Sequence, residues 1–203
     1  MTAASLKQSL DQIAKKDADV RRELKRLGYP EPRKRPRGFE TFFRIIVSQQ
    51  ISAQAARSIL AKAQDMLGET SAEAVHKCRA DRLRKAGLSA RKVEYAKGLA
   101  RAIVKGEFSI EGLAKMENEQ AIQAISSLRG FGRWSAEVYL MFSLGRPDIF
   151  ASGDLALRVA VSRLRGYDRT LTEKEAHNEV MHWSPHRTAG CVFLWHYYRG
   201  APQ

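Results

Sequence analysis

A short segment with two glycines is the part of the chain best suited to bind an anion. Residues 128–136 read LRGFGRWSA and stand between two predicted helices. Gly130 and Gly132 can adopt backbone angles that are closed to other residues, so the chain can turn sharply and press its N–H groups against a ligand. The helix predicted to begin near Trp134 presents its N-terminal N–H groups and positive dipole end, which favour a phosphate. The segment therefore predicts an anion-binding hairpin.

A lone carboxylate follows the hairpin, at the start of the next predicted helix. Asp154 comes directly after Ser152 and Gly153. A fixed carboxylate can stabilise developing positive charge and can orient or deprotonate a water molecule. Asp is also a common N-cap residue. At this point a catalytic and a purely structural interpretation of Asp154 are both open.

The elements that must position these residues are helices. Apolar residues recur at helical spacing over most of the chain, and no segment alternates as a β-strand does. Start signals are an N-cap at Ser89 and capping-box spacings at Thr70/Glu73 and Thr172/Glu175. The predicted fold class is all-α. The two clearest apolar stripes are Phe39, Phe42, Phe43, Ile46, Val47 and Ile51, and then Val93, Ala96, Ala100, Ile103 and Val104.

Proline marks two further features. Residues 29–38 combine three prolines with four basic residues, which predicts a linker that is either simply solvated or in contact with an anionic partner. Ser184 and Pro185 predict the N-cap and first position of a last helix. The inner side of that helix would carry Val192, Trp195 and Tyr198.

Composition favours a polyanionic partner. The 203 residues contain 35 Lys and Arg against 22 Asp and Glu, a net charge of +13, which suits nucleic acid or an anionic membrane surface. No apolar run is long enough to span a bilayer, and the N-terminus lacks the apolar core of a secretory signal. Cys78 and Cys191 are expected to be reduced and buried in an intracellular protein.

Together, the hairpin and Asp154 carry a family resemblance. The pattern L-x-G-x-G-x-W-S-A with a downstream Asp resembles the helix-hairpin-helix DNA glycosylase superfamily, in particular its alkylated-base branch of the 3-methyladenine DNA glycosylase II type. The resemblance covers roughly residues 39–199. It implies a helix-hairpin-helix glycosylase fold of two helical lobes with a cleft between them and no extra β-domain. Three more segments agree with it: residues 46–52 (IVSQQIS), 87–93 (GLSARKV) and 183–187 (WSPHR).

The resemblance also implies a domain layout. Residues 1–203 would form a single glycosylase domain, with residues 1–38 packing against 136–203 as one lobe and residues 39–135 as the other. The helix-hairpin-helix would span about residues 122–144.

Roles for the first motif follow from the same resemblance. Asp154 would be the catalytic residue, since positive charge builds on the sugar as a glycosidic bond breaks. The hairpin would bind phosphates without regard to sequence. Its DNA-binding residues would be Gly130, Gly132, Arg133 and Ser135. A monovalent cation, Na+ or K+, would be held by the carbonyls of Ser126, Leu128 and Phe131; no other cofactor is required, and two cysteines predict no iron–sulfur cluster.

Trp134 indicates the reaction subtype. Bifunctional members of the superfamily carry a lysine there, whose amine forms a Schiff base, and an indole cannot do so. The predicted enzyme is therefore monofunctional, without lyase activity. Trp134, Tyr139 and His186 are candidates for the base pocket. The alternatives are a core anchor for Trp134, core packing for Tyr139 and a surface residue at a helix start for His186.

The QQIS segment aligns with the loop that fills the vacated base stack in relatives. Gln50 is the predicted wedge, Gln49 a partner of the orphaned base or of a helix end, and Ser52 a further DNA contact. The alternative is that both amides only bind a helix end. Additional candidates for phosphate contacts are Arg57, Arg91, Lys92 and Arg158.

The favoured function is a base-excision repair glycosylase that flips and releases alkylated purines such as 3-methyladenine. It is expected to act as a monomer, inside the cell, on double-stranded DNA with damaged bases, without a membrane. One alternative is a non-catalytic helix-hairpin-helix DNA-binding protein, against which Asp154 argues because it would repel DNA. The other is a glycosylase for other damaged or mismatched bases, against which Trp134 argues.

Overall fold

The computed structural model describes residues 1–200, and every regular element within that range is helical. The all-α prediction is confirmed for those residues. Two 3₁₀ turns (Gly112–Lys115 and Met181–Trp183) and a π turn (Leu140–Leu144) complete the helical elements. The α-helices are α1 Ala3–Lys16, α2 Ala18–Leu27, α3 Phe39–Ser48, α4 Ala53–Leu67, α5 Ala72–Lys77, α6 Ala80–Lys85, α7 Ala90–Val104, α8 Asn118–Ser126, α9 Arg133–Tyr139, α10 Leu155–Arg165, α11 Glu173–Glu179 and α12 Arg187–Gly200.

The described chain divides into two compact units. The terminal unit comprises residues 1–34 and the described part of 137–203, and the central unit comprises Arg35–Ala136. The chain passes from one to the other in the proline-containing linker and again inside α9. The arrangement of the predicted lobes and the cleft stays a prediction.

In the terminal unit, α1 packs against α2 and α12, and α10 packs against α11 and α12. The last helix begins later than predicted. Ser184 does not cap it, because the Ser184 hydroxyl donates to Asp148 Oδ2 at 2.8 Å, and α12 starts at Arg187. Its inner face also differs, since Tyr197 is buried and Tyr198 is exposed.

A buried ion cluster joins the first helices of this unit to later ones. Asp17, the N-cap of α2, accepts hydrogen bonds from Arg165 Nη2 at 2.5 Å and from Trp183 Nε1 at 2.7 Å, and its Oδ2 lies 2.9 Å from His182 Nε2. Burial raises the pKa of Asp17, but the bonds from Arg165, Trp183 and the Val20 N–H lower it more, so the net pKa lies well below its usual range. The cluster holds residues that are far apart in sequence.

In the central unit, α7 packs against α3, α5 and α6, and α4 packs against α3. The α3 stripe is buried up to Val47, but Ile51 lies beyond the helix end and is exposed. Val104, at the last position of α7, is exposed as well.

The N-cap prediction for Ser89 is confirmed, whereas Ser71 rather than Thr70 caps α5. The Thr172/Glu175 capping box in the terminal unit is confirmed.

The linker carries no regular secondary structure between α2 and α3. It is not simply solvated, because the Arg33 guanidinium lies 5.0 Å from the centre of the Trp195 ring. Cys78 and Cys191 are both buried and free of disulfides, as predicted. None of the helices within residues 1–200 is long and apolar enough to cross a membrane.

Candidate functional site

The hairpin between α8 and α9 turns on one glycine rather than two. Gly130 has a φ of +95°, but Gly132 is outside the left-handed region. Correcting the sequence-based prediction, only Gly130 therefore needs the conformational freedom of glycine. The Phe131 N–H donates to the Leu128 carbonyl at 3.0 Å, and the Gly132 carbonyl accepts the first helical bond of α9 from Ala136.

A second constraint on Gly130 comes from Tyr95 on α7. A Cβ added at Gly130 would lie 2.3–2.9 Å from three carbons of the Tyr95 ring, whereas a Cβ at Gly132 would meet open space. The ring packs on the glycine, so the hairpin is held against α7 at this point.

We expect Gly130→Ala to lower the free energy of unfolding by about 2–4 kcal/mol, because left-handed strain and overpacking against Tyr95 add up. Gly132→Ala is the matched control and should change stability by less than about 1 kcal/mol. Urea unfolding of both variants checks this. Equal losses would contradict the assignment of the turn to Gly130.

Two arginines flank the hairpin, and each is paired with a carboxylate of the same unit. Arg133 makes a two-bond contact with Glu119, at 2.8 and 2.9 Å, and Arg129 pairs with Glu94. All four side chains are largely exposed. If the predicted DNA-binding residue Arg133 used its side chain, the phosphate would have to displace Glu119.

The turn between α3 and α4 is attached to the hairpin by a side chain. Gln49 Nε2 donates to the Gly130 carbonyl at 2.7 Å. Gln49 thus binds a hairpin carbonyl in this structure, and the predicted role as an orphan-base partner stays a prediction. Ser52 caps α4 by accepting from the Ala55 N–H at 3.2 Å.

Gln50 occupies an exposed position of that turn in a strained backbone conformation. Its φ of +57° is the one positive φ of a non-glycine residue within residues 1–200. This conformation costs a residue with a Cβ about 1–2 kcal/mol. Nothing in the local sequence indicated it, because Gln is not a typical left-handed residue.

Lys92, a predicted phosphate contact, binds a backbone carbonyl of its own unit in this structure. Its Nζ donates to the Val47 carbonyl at 2.7 Å, near the end of α3, and burial lowers its pKa. The carbonyls of the last helical turn lack intrahelical donors, so the ammonium satisfies one of them. Arg158 is likewise engaged, with Nη1 3.3 Å from the Leu171 carbonyl. Arg57 and Arg91 are exposed, and their phosphate contacts stay a prediction.

In the terminal unit, Asp154 is the N-cap of α10. Its Oδ1 accepts from the Leu157 N–H at 3.0 Å, and its own N–H donates to the Ala151 carbonyl at 3.0 Å. The cap bond uses one of the about four acceptor sites that a carboxylate offers. The cap fixes the direction of the carboxylate, and capping and chemistry are compatible here. Leu155, the next residue, is 59% exposed.

The three base-pocket candidates differ in burial. Trp134 is 46% exposed, which excludes the core-anchor alternative. Tyr139 has no exposed surface in this structure, which agrees with its core-packing alternative. His186 is half-buried and directly precedes α12, with its N–H bonded to the Trp183 carbonyl at 2.8 Å. Which of them contact a base stays a prediction.

Of the three residues proposed to hold a cation, Ser126 has polar groups that could take a ligand. Ser126 ends α8, where carbonyls lack intrahelical donors, and its hydroxyl is buried without a hydrogen-bond partner. Ser135, predicted to offer its N–H to phosphate, lies in the first turn of α9 with its side chain buried.

The chain is similar in sequence to a known protein family and to named relatives. The model of the "HhH-GPD superfamily base excision DNA repair protein" family matches residues 43–186, which include the α3–α4 turn, the hairpin and Asp154. The chain is 28% identical over 188 residues to DNA-3-methyladenine glycosylase 1 of Schizosaccharomyces pombe, covering 88% of this chain and 82% of the relative.

Two solved structures are similar over nearly the whole length. A DNA-3-methyladenine glycosidase from Bacillus halodurans superposes with a TM-score of 0.85 at 27% identity, covering 94% of this chain and 88% of that one. The 3-methyladenine DNA glycosylase of S. pombe, in complex with abasic DNA, has a TM-score of 0.82 at 25% identity, covering 96% and 98%. With the family match extending over most of the chain, this protein belongs to the HhH-GPD superfamily of base excision DNA repair proteins.

Proposed function

We propose that this repair protein is a DNA glycosylase that hydrolyses the N-glycosidic bond of alkylated purines, such as 3-methyladenine, and leaves an abasic site. The observation that carries the proposal is the fixed carboxylate of Asp154 at the start of α10, within the region matched by the family. The names of the similar proteins support the substrate class.

Asp154 has the chemistry for the central step. Departure of the base leaves positive charge on the deoxyribose, and a preorganised carboxylate stabilises that charge. The same group can orient the attacking water and accept its proton. The target nucleotide must first leave the base stack, since the bond is inaccessible inside the duplex.

The hairpin would bind the DNA backbone. The N-terminal turn of α9 offers N–H groups and a positive dipole end to a phosphate, which needs no side-chain charge. A monovalent cation on the carbonyls of Ser126, Leu128 and Phe131 would add positive charge between hairpin and phosphate. The partner is double-stranded DNA with a damaged base, and the net charge of +13 favours binding to this polyanion. The chain would act as a monomer.

Trp134 supports hydrolysis without strand cleavage. An indole offers no amine for a Schiff base, and its exposed face attracts an electron-poor, positively charged purine. Positively charged alkylated bases already have a weakened glycosidic bond, so no general acid is required for them. Neutral lesions need help at the leaving group and should be poorer substrates.

The test is a panel of duplexes, each with one lesion, assayed for base release and strand cleavage. We expect release of methylated purines, an intact strand until alkali is added, and no covalent adduct on borohydride treatment. Trapping of an enzyme–DNA adduct, or faster excision of a neutral oxidised base than of any methylated purine, would overturn the assignment. Binding of lesion duplexes without any release would support a non-catalytic DNA-binding protein instead.

A further inference from the structure

The turn between α3 and α4 presents Gln50 in a conformation that its own residue type disfavours. Gln50 is exposed, with a φ of +57°, two residues after the end of a helix. A side chain with a Cβ stays in the left-handed region only when its surroundings hold it there. The structure must therefore contain contacts that fix this turn.

Two side-chain bonds fix the segment that leads into Gln50. The Lys92 ammonium binds the Val47 carbonyl at 2.7 Å, which fixes the last turn of α3. Gln49 Nε2 binds the Gly130 carbonyl at 2.7 Å, which attaches the residue before Gln50 to the hairpin. Both bonds lie in the central unit and join residues 45 and 81 positions apart.

A cation is an unusual choice for the Lys92 position. The ammonium is partly desolvated, and no carboxylate within the described residues forms an ion pair with it. A solvated lysine would avoid that cost. What the ammonium gains is a charge-assisted bond to a helix-end carbonyl, which is also where a positive charge suits the helix dipole.

We propose that Lys92 is a positioning residue for Gln50: by holding the Val47 carbonyl it directs the chain out of α3 into the left-handed turn that presents the Gln50 side chain. The bond from Gln49 to the Gly130 carbonyl fixes the same turn against the hairpin. The inference rests on the proposed function and on the predicted role of Gln50 as the wedge that enters the gap left by the flipped nucleotide. Lys92 then acts on base flipping without touching DNA.

The chain supplies its own control on the same helix. Lys97 Nζ binds the carbonyls of His76 and Cys78, both at 2.7 Å, and so caps the end of α5 in the way that Lys92 caps α3. Lys97 makes no bond to the α3–α4 turn. Lys92→Met and Lys97→Met each remove one lysine–carbonyl cap, but only the first should alter Gln50.

The test measures single-turnover base release and the filling of the gap. A duplex with an uncleavable abasic-site analogue and 2-aminopurine as the neighbouring base reports gap filling by fluorescence. We expect Lys92→Met to slow release by about 10- to 100-fold, in line with a misplaced catalytic arrangement, and to reduce the 2-aminopurine response. Its affinity for undamaged duplex should stay within about 2-fold, because no phosphate contact is lost. Lys92→Arg should restore both signals, whereas Lys97→Met should lower the melting temperature and leave both signals unchanged.

A double-mutant comparison decides whether Lys92 acts through Gln50. In a Gln50→Ala background, Lys92→Met should cause no further loss of release rate. Additive losses, or equal effects of Lys92→Met and Lys97→Met, would overturn the proposal.

Failure of the proposed function is recognised separately. In that case the wild-type chain would release no base and give no 2-aminopurine response. The amide NMR signal of Gln50 still tests the positioning: it should shift in Lys92→Met and not in Lys97→Met, and an unchanged signal in Lys92→Met would overturn the inference.

Discussion

Replacing Asp154 by Asn should lower the single-turnover rate of base release by about 100- to 1000-fold or more, the range found when one preorganised group at a developing charge is lost. The amide keeps the size of the carboxylate and can still accept the bond from the Leu157 N–H. What disappears is the negative charge that stabilises the sugar cation and the base that activates water. The rate of 3-methyladenine release with enzyme in excess over duplex measures the effect.

A second variant separates chemistry from capping. Asp154→Ser also keeps a good N-cap residue, so α10 should stay intact while release falls as in Asp154→Asn. Binding to an abasic-site analogue should persist in both variants, because the hairpin is unchanged. If either variant released the base near the wild-type rate, Asp154 would be a structural N-cap without a catalytic role.

The largest effect on stability is expected for Asp17→Asn, about 3–5 kcal/mol of unfolding free energy, because removing one partner of a buried ion pair leaves the other uncompensated. The side chain of Asp17 is 2% exposed, and that of its partner Arg165 is 14% exposed. Asp19 binds the same guanidinium at 2.8 Å but is about a third exposed. Asp19→Asn is therefore the matched control, with a loss below about 1 kcal/mol.

Acid should remove the same stabilisation. The pKa of Asp17 is lowered in the folded protein, so its contribution is complete above the ordinary carboxyl pKa of about 3.9 and is lost as the pH falls towards the folded value. The unfolding free energies of wild type and Asp17→Asn should converge as the pH is lowered from about 5 to about 2. A constant difference over that interval, measured by urea unfolding, would show that the Asp17 charge is not what stabilises the cluster.

Local patterns predicted the helices well where the signal lies within one turn. The buried stripe of α3 up to Val47, the Ser89 cap and the Thr172/Glu175 capping box all depend on residues three or four apart, and all are confirmed. Two other helix starts were predicted wrongly. Thr70/Glu73 has the spacing of a capping box, but Ser71 caps α5. Ser184 resembled a cap by type, but Asp148 takes its hydroxyl, and no local pattern reveals that competition.

Long-range pairing explains what the sequence could not indicate about the site. The partners of Asp17 stand 148 and 166 positions away, and the Lys92–Val47 bond spans 45. The sequence predicted a phosphate contact for Lys92, because only the packing of α7 against α3 shows that the end of α3 lies within its reach. The hairpin and Asp154 were recognisable from motif spacing, whereas the exposure of Trp134 and the burial of Tyr139 follow from the fold.

The paired arginines beside the hairpin have a consequence for how the protein would search a genome. Arg129 and Arg133 are each neutralised by a glutamate, so a phosphate can recruit either side chain only by exchanging one anion for another. Such an exchange gains little, so these two side chains would add little to the binding of an undamaged duplex by the hairpin. A chain of net charge +13 whose hairpin arginines were unpaired would bind every stretch of DNA more tightly. We therefore expect the two glutamates to shorten the dwell time at each undamaged site and to speed the move to the next base pair.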